Sequence, residues 1–140
     1  MKVFILCGGF GTRLDYEGTL IAKPMARIGP DPILMHIIKG YCDQGYNDFV
    51  FCLGHKSPTN INYFLKEKKK FSKKINNTKS NIELVYKAKN FNFKGSLIYT
   101  VVNTGTCGRI KKAYKQLKLN EDILMTYGDC LSDVSIKKLV

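Results

Sequence analysis

The 140-residue chain is predicted to be an α/β protein, one domain over residues 1–140, with a mostly parallel sheet and helices on both faces. Three observations predict this. Two continuous apolar runs, Val3-Phe4-Ile5-Leu6-Cys7 and Phe49-Val50-Phe51-Cys52-Leu53, stop at glycine, as strands buried on both faces do. Other segments carry apolar residues at helical spacing. The two kinds alternate, broadly β-α-β-α-β-β-α-β, with no internal repeat and no linker.

Taken in order, Val3–Cys7 is a strand closed by Gly8-Gly9. Ile33–Tyr41 places Ile33, Leu34, Ile37, Ile38 and Tyr41 on one helical face, and Gly45 supplies the stop. Asp48–Leu53 is a second strand, ending at Gly54. Asn60 caps a short helix through Ile61, Phe64 and Leu65, and Lys66–Lys79 is its basic end followed by loop. Ile82–Tyr86 and Leu97–Val102 are further strands. Arg109–Leu119 has Ile110, Ala113, Tyr114 and Leu117 on one face, again helical. Ile123–Tyr127 is a strand running into Gly128-Asp129, after which Ser132 or Ser135 starts a last helical turn. Ligands of such sheets sit beyond the carboxyl ends of the strands, so Gly8–Arg13, Gly54-His55 and Gly128-Asp129 share one rim.

With 44% hydrophobic and 24% charged residues, the composition is neither disordered nor collagenous. The net charge of +12 is local: Lys66–Lys94 holds ten lysines against Glu67 and Glu83. A polyanion or membrane-surface patch is one reading of that stretch; a solvated loop is the reading adopted. Cys7, Cys42, Cys52, Cys107 and Cys130 form no C-x-x-C pair, and the two histidines lie far apart, which argues against zinc. An odd cysteine count and no secretory leader point to reduced thiols in a cytoplasm. No window approaches the roughly 18 apolar residues of a membrane span. The expectation is a cytoplasmic protein with neither nucleic-acid nor membrane partners.

The sharpest local feature is Gly8-Gly9-Phe10-Gly11-Thr12-Arg13-Leu14 after the first strand. Glycines let backbone N–H groups approach phosphate oxygens closely, and equally make a tight turn. Thr12 adds a hydroxyl and Arg13 a fork of donors matched to phosphate, which favours phosphate. The segment is neither a Walker loop nor a G-x-G-x-x-G motif. In Lys23-Pro24-Met25 the proline fixes the chain beside the lysine, so the ammonium can be aimed. Asp129, ending a buried strand, suits Mg²⁺. Capping the following loop is its other role. Asp133 is expected to cap the last helix. Thr104-Gly105-Thr106-Cys107-Gly108-Arg109 opens a helix whose N–H groups and guanidinium suit a nucleotide, or make an ordinary glycine turn with a solvated arginine. His36 is expected at the core boundary, His55 receives no chemistry, and Cys7 is expected to be a small buried residue.

Together these segments resemble the sugar-1-phosphate nucleotidylyltransferase family. The carriers are Phe4–Leu14, Lys23-Pro24-Met25 and Gly29-Pro30-Asp31-Pro32-Ile33-Leu34. Within it the likeness is to the glucose-1-phosphate cytidylyltransferases. That narrower likeness rests on Leu34–Ile37, Asn47–Lys56, Asn103–Arg109 and Thr126–Asp129. The resemblance implies a Rossmann-like fold of the nucleotide-diphospho-sugar transferase type. It also implies attack of the phosphate oxygen of glucose 1-phosphate on the α-phosphorus of CTP, giving CDP-glucose and pyrophosphate. Such catalysis needs positioning and charge neutralisation more than a covalent side chain.

By the same resemblance, Leu6, Cys7, Gly8, Gly9, Phe10, Gly11, Thr12 and Arg13 would hold the nucleotide, with Arg13 on the leaving pyrophosphate. Lys23 would bridge the two reacting phosphates, making Arg13 and Lys23 the catalytic pair. Thr104 and Arg109 would lie at the nucleotide, Gly128 would pack near the ribose, and Asp129 would bind the Mg²⁺ cofactor. Several positions depart from the family pattern. Ile21-Ala22-Lys23-Pro24 lacks the first lysine of a Lys-Pro-Lys-Pro, Asp31 reverses a charge, and Cys107 and Cys130 replace glycines. Family members also continue past the position of Val140 into a sugar-binding part and a second Mg²⁺ aspartate, so the chain is expected to be the nucleotide-binding half, either as a truncated product or with the rest supplied by another polypeptide. The alternatives are another base (dTTP, UTP or GTP), a non-catalytic nucleotide-binding fragment, and a nucleic-acid-binding domain using Lys66–Lys94, which has no stacking or helix-turn-helix motif beside it. A homo-oligomer is among the assemblies the family allows.

Overall fold

A computed structural model describes residues 1–8, 22–54, 62–63, 71–74, 81–87, 91–100 and 104–140. The first apolar run forms β1 (Lys2–Cys7), buried from Val3 onward. It lies between two parallel neighbours, β4 (Asp48–Leu53) and β8 (Ile123–Tyr127). Next to β4 runs β7 (Asn92–Tyr99), also parallel, followed by β6 (Asn81–Lys87) and β5 (Phe71–Lys74), each antiparallel to its neighbour. The sheet order is β5-β6-β7-β4-β1-β8. Three pairings are parallel and two antiparallel, so the mostly parallel expectation holds. Strands β7, β4, β1 and β8 all point the same way, and their carboxyl ends form one rim.

Successive residues of a strand point to opposite faces. Val3, Ile5, Cys7, Phe49, Phe51 and Leu53 therefore build one core with Leu34, Met35, Ile37 and Ile38 of α1 (Ile33–Asp43). The alternate residues Phe4, Leu6, Val50, Cys52 and Ile98 build the other with Ala113 of α2 (Thr106–Gln116), flanked by Ile110, Tyr114 and Leu117. Two-sided burial is why β1 and β4 are apolar throughout rather than alternating. The α1 face is the aromatic one: Phe93 meets Phe49 edge-on at 5.5 Å between centroids and stacks on Tyr86 at 5.0 Å. Such pairs add about 0.5–1.5 kcal/mol each beyond area burial.

Between β1 and α1 the chain makes a 3-10 turn, Lys23–Met25, and a small hairpin of β2 (Arg27–Ile28) and β3 (Asp31–Pro32). Gly29 in the hairpin turn has φ +63°, a conformation glycine adopts without strain. α1 ends at Asp43, and Gly45 at φ +90° turns the chain away, as its position predicts.

Three expectations need correction. Lys66–Lys79 is not simply helix end and loop, because Phe71–Lys74 is the edge strand β5, held by antiparallel pairing to β6. The strand assigned to Leu97–Val102 starts earlier, at Asn92, and its described part ends at Tyr99. Asp133 does not cap the last turn: Ser135 precedes the 3-10 turn Ile136–Lys138. Of the short helix expected after Asn60, Asn62 and Tyr63 are helical, and Asn60, Ile61, Phe64 and Leu65 lie outside the described residues. Gln44, just after α1, fastens the segment beyond β8: its Oε1 accepts the Ile136 N–H at 2.7 Å and its Nε2 donates to the Val134 carbonyl at 3.3 Å. Among the described residues no helix is long and apolar enough to cross a membrane.

Candidate functional site

The rim is built outward from the end of β1. The Gly128 N–H donates to the Leu6 carbonyl at 3.0 Å, extending the β1–β8 pairing by one residue. A Cβ at Gly128 would lie 3.1 Å from Cys7 Sγ, 3.1 Å from Pro24 Cγ and 3.2 Å from the Leu6 carbonyl oxygen. A side chain there would press on β1, β8 and the Lys23–Met25 turn together, and each would have to give by a few tenths of an ångström. The turn is anchored by buried Pro24 and Met25 and closed by the Met25 N–H on the Ala22 carbonyl at 2.7 Å. Anchoring aims Lys23: its Nζ stands 3.9 Å from Asp129 Oδ2, each side chain about one-third exposed (35% and 34%). The opposed charges reach water and a ligand alike.

On the opposite flank of Gly8 lies Arg109, from the first turn of α2. Its side chain is buried and its Nε donates to the Thr104 carbonyl at 3.0 Å. One guanidinium nitrogen occupies the volume that a side chain on Gly8 would need, 2.0 Å from the ideal Cβ. The same nitrogen is 3.0 Å from an ideal Cβ on Gly54, which would also come within 2.7 Å of the Gly8 carbonyl oxygen. Upstream, the Leu53 carbonyl accepts both the Thr100 N–H at 2.7 Å and the Thr100 hydroxyl at 2.6 Å. The sequence places Thr100 inside a strand and carries no signal of this role; its burial just past Tyr99 comes from the fold. Arg109 is therefore not the solvated arginine of an ordinary turn.

Of the sequence-predicted residues, Leu6, Cys7, Gly8, Lys23, Gly128 and Asp129 form one group, and Thr104 and Arg109 form a second that touches the first through Gly8. Gly9, Phe10, Gly11, Thr12 and Arg13 lie outside the described residues, as does His55. His36 sits at the boundary, half-buried, with Nε2 2.9 Å from the Ile28 carbonyl oxygen. Burial pushes the Cys7 thiol far up, with Cys52 and the Asp129 carboxylate adding to it, so Cys7 is no thiolate nucleophile. Cys52 is pushed up to about 12 by burial, which Arg109 partly offsets. At Cys130 partial desolvation and then the neighbouring Asp129 raise the thiol.

Among the described residues no group of three His, Cys, Asp or Glu side chains could cage a metal. Asp129 could serve as one ligand of Mg²⁺, a hard cation commonly held by one or two carboxylates together with phosphate oxygens. A groove of about 200 Å³ between α1 and the segment after β8, lined by His36, Gly40, Gln44, Thr126, Cys130 and Leu131 among others, includes neither Lys23 nor Arg109.

This rim carries glycines at three strand ends, Arg109 against Gly8, and Lys23 facing Asp129 beyond β8. Residues 2–140 match the family model described as nucleotidyl transferase. The chain belongs to the nucleotidyl transferase family. Glucose-1-phosphate cytidylyltransferase of Salmonella typhimurium is 36% identical over 140 residues, covering 100% of this chain and 54% of the relative. The probable glucose-1-phosphate cytidylyltransferase of Bacillus subtilis is 38% identical over 141 residues with the same coverage of both chains. The crystal structure of HddC from Yersinia pseudotuberculosis, complexed with GMP-PN, superposes with a TM-score of 0.66 at 25% identity. That match covers 99% of this chain and 52% of HddC. This nucleotidyl transferase chain thus spans about half the length of the relatives it matches.

Proposed function

We propose that the chain provides the nucleotide-binding part of a sugar-1-phosphate nucleotidylyltransferase that joins CTP to glucose 1-phosphate. A phosphate oxygen of the sugar phosphate attacks the α-phosphorus of CTP, the bond from that phosphorus to the bridging oxygen breaks, and pyrophosphate leaves with CDP-glucose formed. The observation that carries the reading is Lys23, aimed by Pro24 and 3.9 Å from Asp129, just beyond the end of β8. An ammonium there offsets repulsion between two phosphate anions brought together for in-line attack. Gly8, freed of a side chain, admits the Arg109 guanidinium against the backbone that would meet the nucleotide. Asp129 would hold Mg²⁺, which supplies neutralisation of phosphate charge when bound. Arg13 would meet the leaving pyrophosphate.

Cytidylyl transfer is favoured over guanylyl transfer because the two cytidylyltransferase relatives align over all of this chain at 36% and 38% identity. The GMP-PN complex of HddC favours the second reading, a guanine nucleotide. Calorimetry with Mg²⁺ and each of CTP, UTP, GTP, dTTP and ATP decides between them. The expected result is tightest binding of CTP, weakened in Arg13→Ala, Lys23→Ala and Asp129→Ala. Absence of heat with every nucleotide, on protein shown to be folded, overturns the reading. Pyrophosphate release from CTP plus glucose 1-phosphate separates turnover from binding alone.

A further inference from the structure

We infer that Gly54 is a positioning residue of the nucleotide site: its absent side chain lets the Gly8 backbone, against which the Arg109 guanidinium lies, approach the end of β4. This rests on the nucleotide-binding reading above and extends it to a residue from a different strand. Gly54 follows β4, whereas Gly8 follows β1 and Arg109 comes from α2. An ideal Cβ at Gly54 falls 2.7 Å from the Gly8 carbonyl oxygen, 2.9 Å from Gly8 Cα and 3.0 Å from the Arg109 guanidinium nitrogen. The first two are backbone atoms in a buried strand end and cannot swing aside, so any side chain there must displace Gly8, Arg109 or both.

Three hydrogen bonds keep this arrangement from relaxing. The Leu53 carbonyl is fixed by both the N–H and the hydroxyl of Thr100, which holds the chain as it enters Gly54. The Arg109 Nε is fixed by the Thr104 carbonyl, which sets the plane of the guanidinium. With both sides held, the gap between the ends of β1 and β4 is a slot for one planar cation. An arginine fills it with a planar fork, where a lysine would present a single mobile charge. Gly54 thereby sets where Arg109 stands relative to the backbone that meets the nucleotide. A displacement of about 1 Å at such a contact is on the scale that costs up to 100-fold in function.

Gly95 gives the comparison needed to separate this role from ordinary packing. Its ideal Cβ is equally crowded, 2.7 Å from Phe51 Cε2 and 2.9 Å from Leu84 Cδ1, but its neighbours are core side chains remote from the rim. Gly54→Ala and Gly95→Ala should both lower the unfolding temperature. Only Gly54→Ala should weaken Mg²⁺–CTP binding by tenfold or more per folded molecule, measured by calorimetry below the melting range. Equal CTP affinity in wild type and Gly54→Ala overturns the inference, as does an equal loss in Gly95→Ala.

A measurement on the wild type needs no variant to fold. The sequence has three arginines, Arg13, Arg27 and Arg109. In a ¹⁵N spectrum one Nε–H resonance, assigned by its disappearance in Arg109→Lys, should exchange with solvent far more slowly than a free arginine and shift on addition of Mg²⁺–CTP. Fast exchange at that resonance overturns the inference. Failure of the wild type to bind any nucleotide while this proton stays protected refutes the nucleotide reading instead, leaving the slot itself in place.

Discussion

Replacing Gly128 with alanine tests the junction on which the candidate site is built. The added methyl would meet Cys7 Sγ and Pro24 Cγ at 3.1 Å and the Leu6 carbonyl oxygen at 3.2 Å, where ordinary contacts are 3.4–4 Å. Each neighbour must retreat by several tenths of an ångström, and each belongs to a different constraint: a buried strand end, a proline ring and a carbonyl that accepts the Gly128 N–H at 3.0 Å. Overpacking of this kind costs about 1–3 kcal/mol. With small gaps on three sides the lower half of that range applies, about 1–2 kcal/mol, or roughly 3–6 °C in Tm for a chain of this size. The same push separates Pro24 from β8 and so widens the Lys23–Asp129 distance of 3.9 Å. Thermal unfolding and calorimetry with Mg²⁺–CTP should therefore both register the change, with weaker nucleotide binding beyond any loss of folded protein. A variant that melts within 1 °C of wild type and binds CTP equally well would refute the claim that these three segments meet at Gly128.

Gly40→Ala should act in the opposite direction: Gly40 is exposed within α1 with nothing within 4 Å of its Cβ position, so alanine should stabilise by about 1 kcal/mol, read by urea unfolding. Asp129→Asn should leave Tm nearly unchanged, because a one-third-exposed pair at 3.9 Å contributes at most about 1 kcal/mol, while abolishing the Mg²⁺ dependence of CTP binding in calorimetry. An aromatic disulfide reagent should label exposed Cys107 and Cys130 in the native protein, Cys130 slowly because of Asp129, and buried Cys7 and Cys52 only on unfolding. The Cys52 thiol stays protonated in the fold up to about 12 but ionises from about 9 when unfolded, so its stabilising effect is full below pH 9 and is lost as pH rises toward 12. The destabilisation caused by Cys52→Ala, measured by urea titration, should accordingly shrink by about 1 kcal/mol between pH 8 and pH 10.

The parallel half of the sheet was legible because burial on both faces leaves an unmistakable mark: Val3–Cys7 and Phe49–Leu53 have no polar position to confuse the reading. β5 carries no such mark. Phe71-Ser72-Lys73-Lys74 is lysine-rich, and its strand geometry comes from pairing with β6, a partner that local sequence does not reveal. The early start of β7 was hidden for a related reason, since Asn92 and Lys94 are exposed while Phe93 and Gly95 are buried, an alternation broken by glycine. At the rim, Lys23, Gly128 and Asp129 were readable as candidates, each from its own strand end or proline. The burial of Arg109 was not, because it depends on the absence of side chains at Gly8 and Gly54, two residues in separate strands. Tertiary contact, rather than local pattern, decides whether an arginine after a glycine turn is solvated or held.

The central placement of β1 has a consequence for biosynthesis. The ribosome makes this strand before either of its two flanking partners, residues 49–53 and 123–127. Until Ile123–Tyr127 has emerged, Val3–Cys7 is an apolar ribbon with one side unpaired, a natural client for chaperones that shield such segments. Closing so distant a pairing pays loop entropy before any contact rewards it, which slows the search. Nucleotide affinity should therefore arise abruptly in a series of stalled nascent chains, only after Asp129 clears the exit tunnel, rather than growing with length.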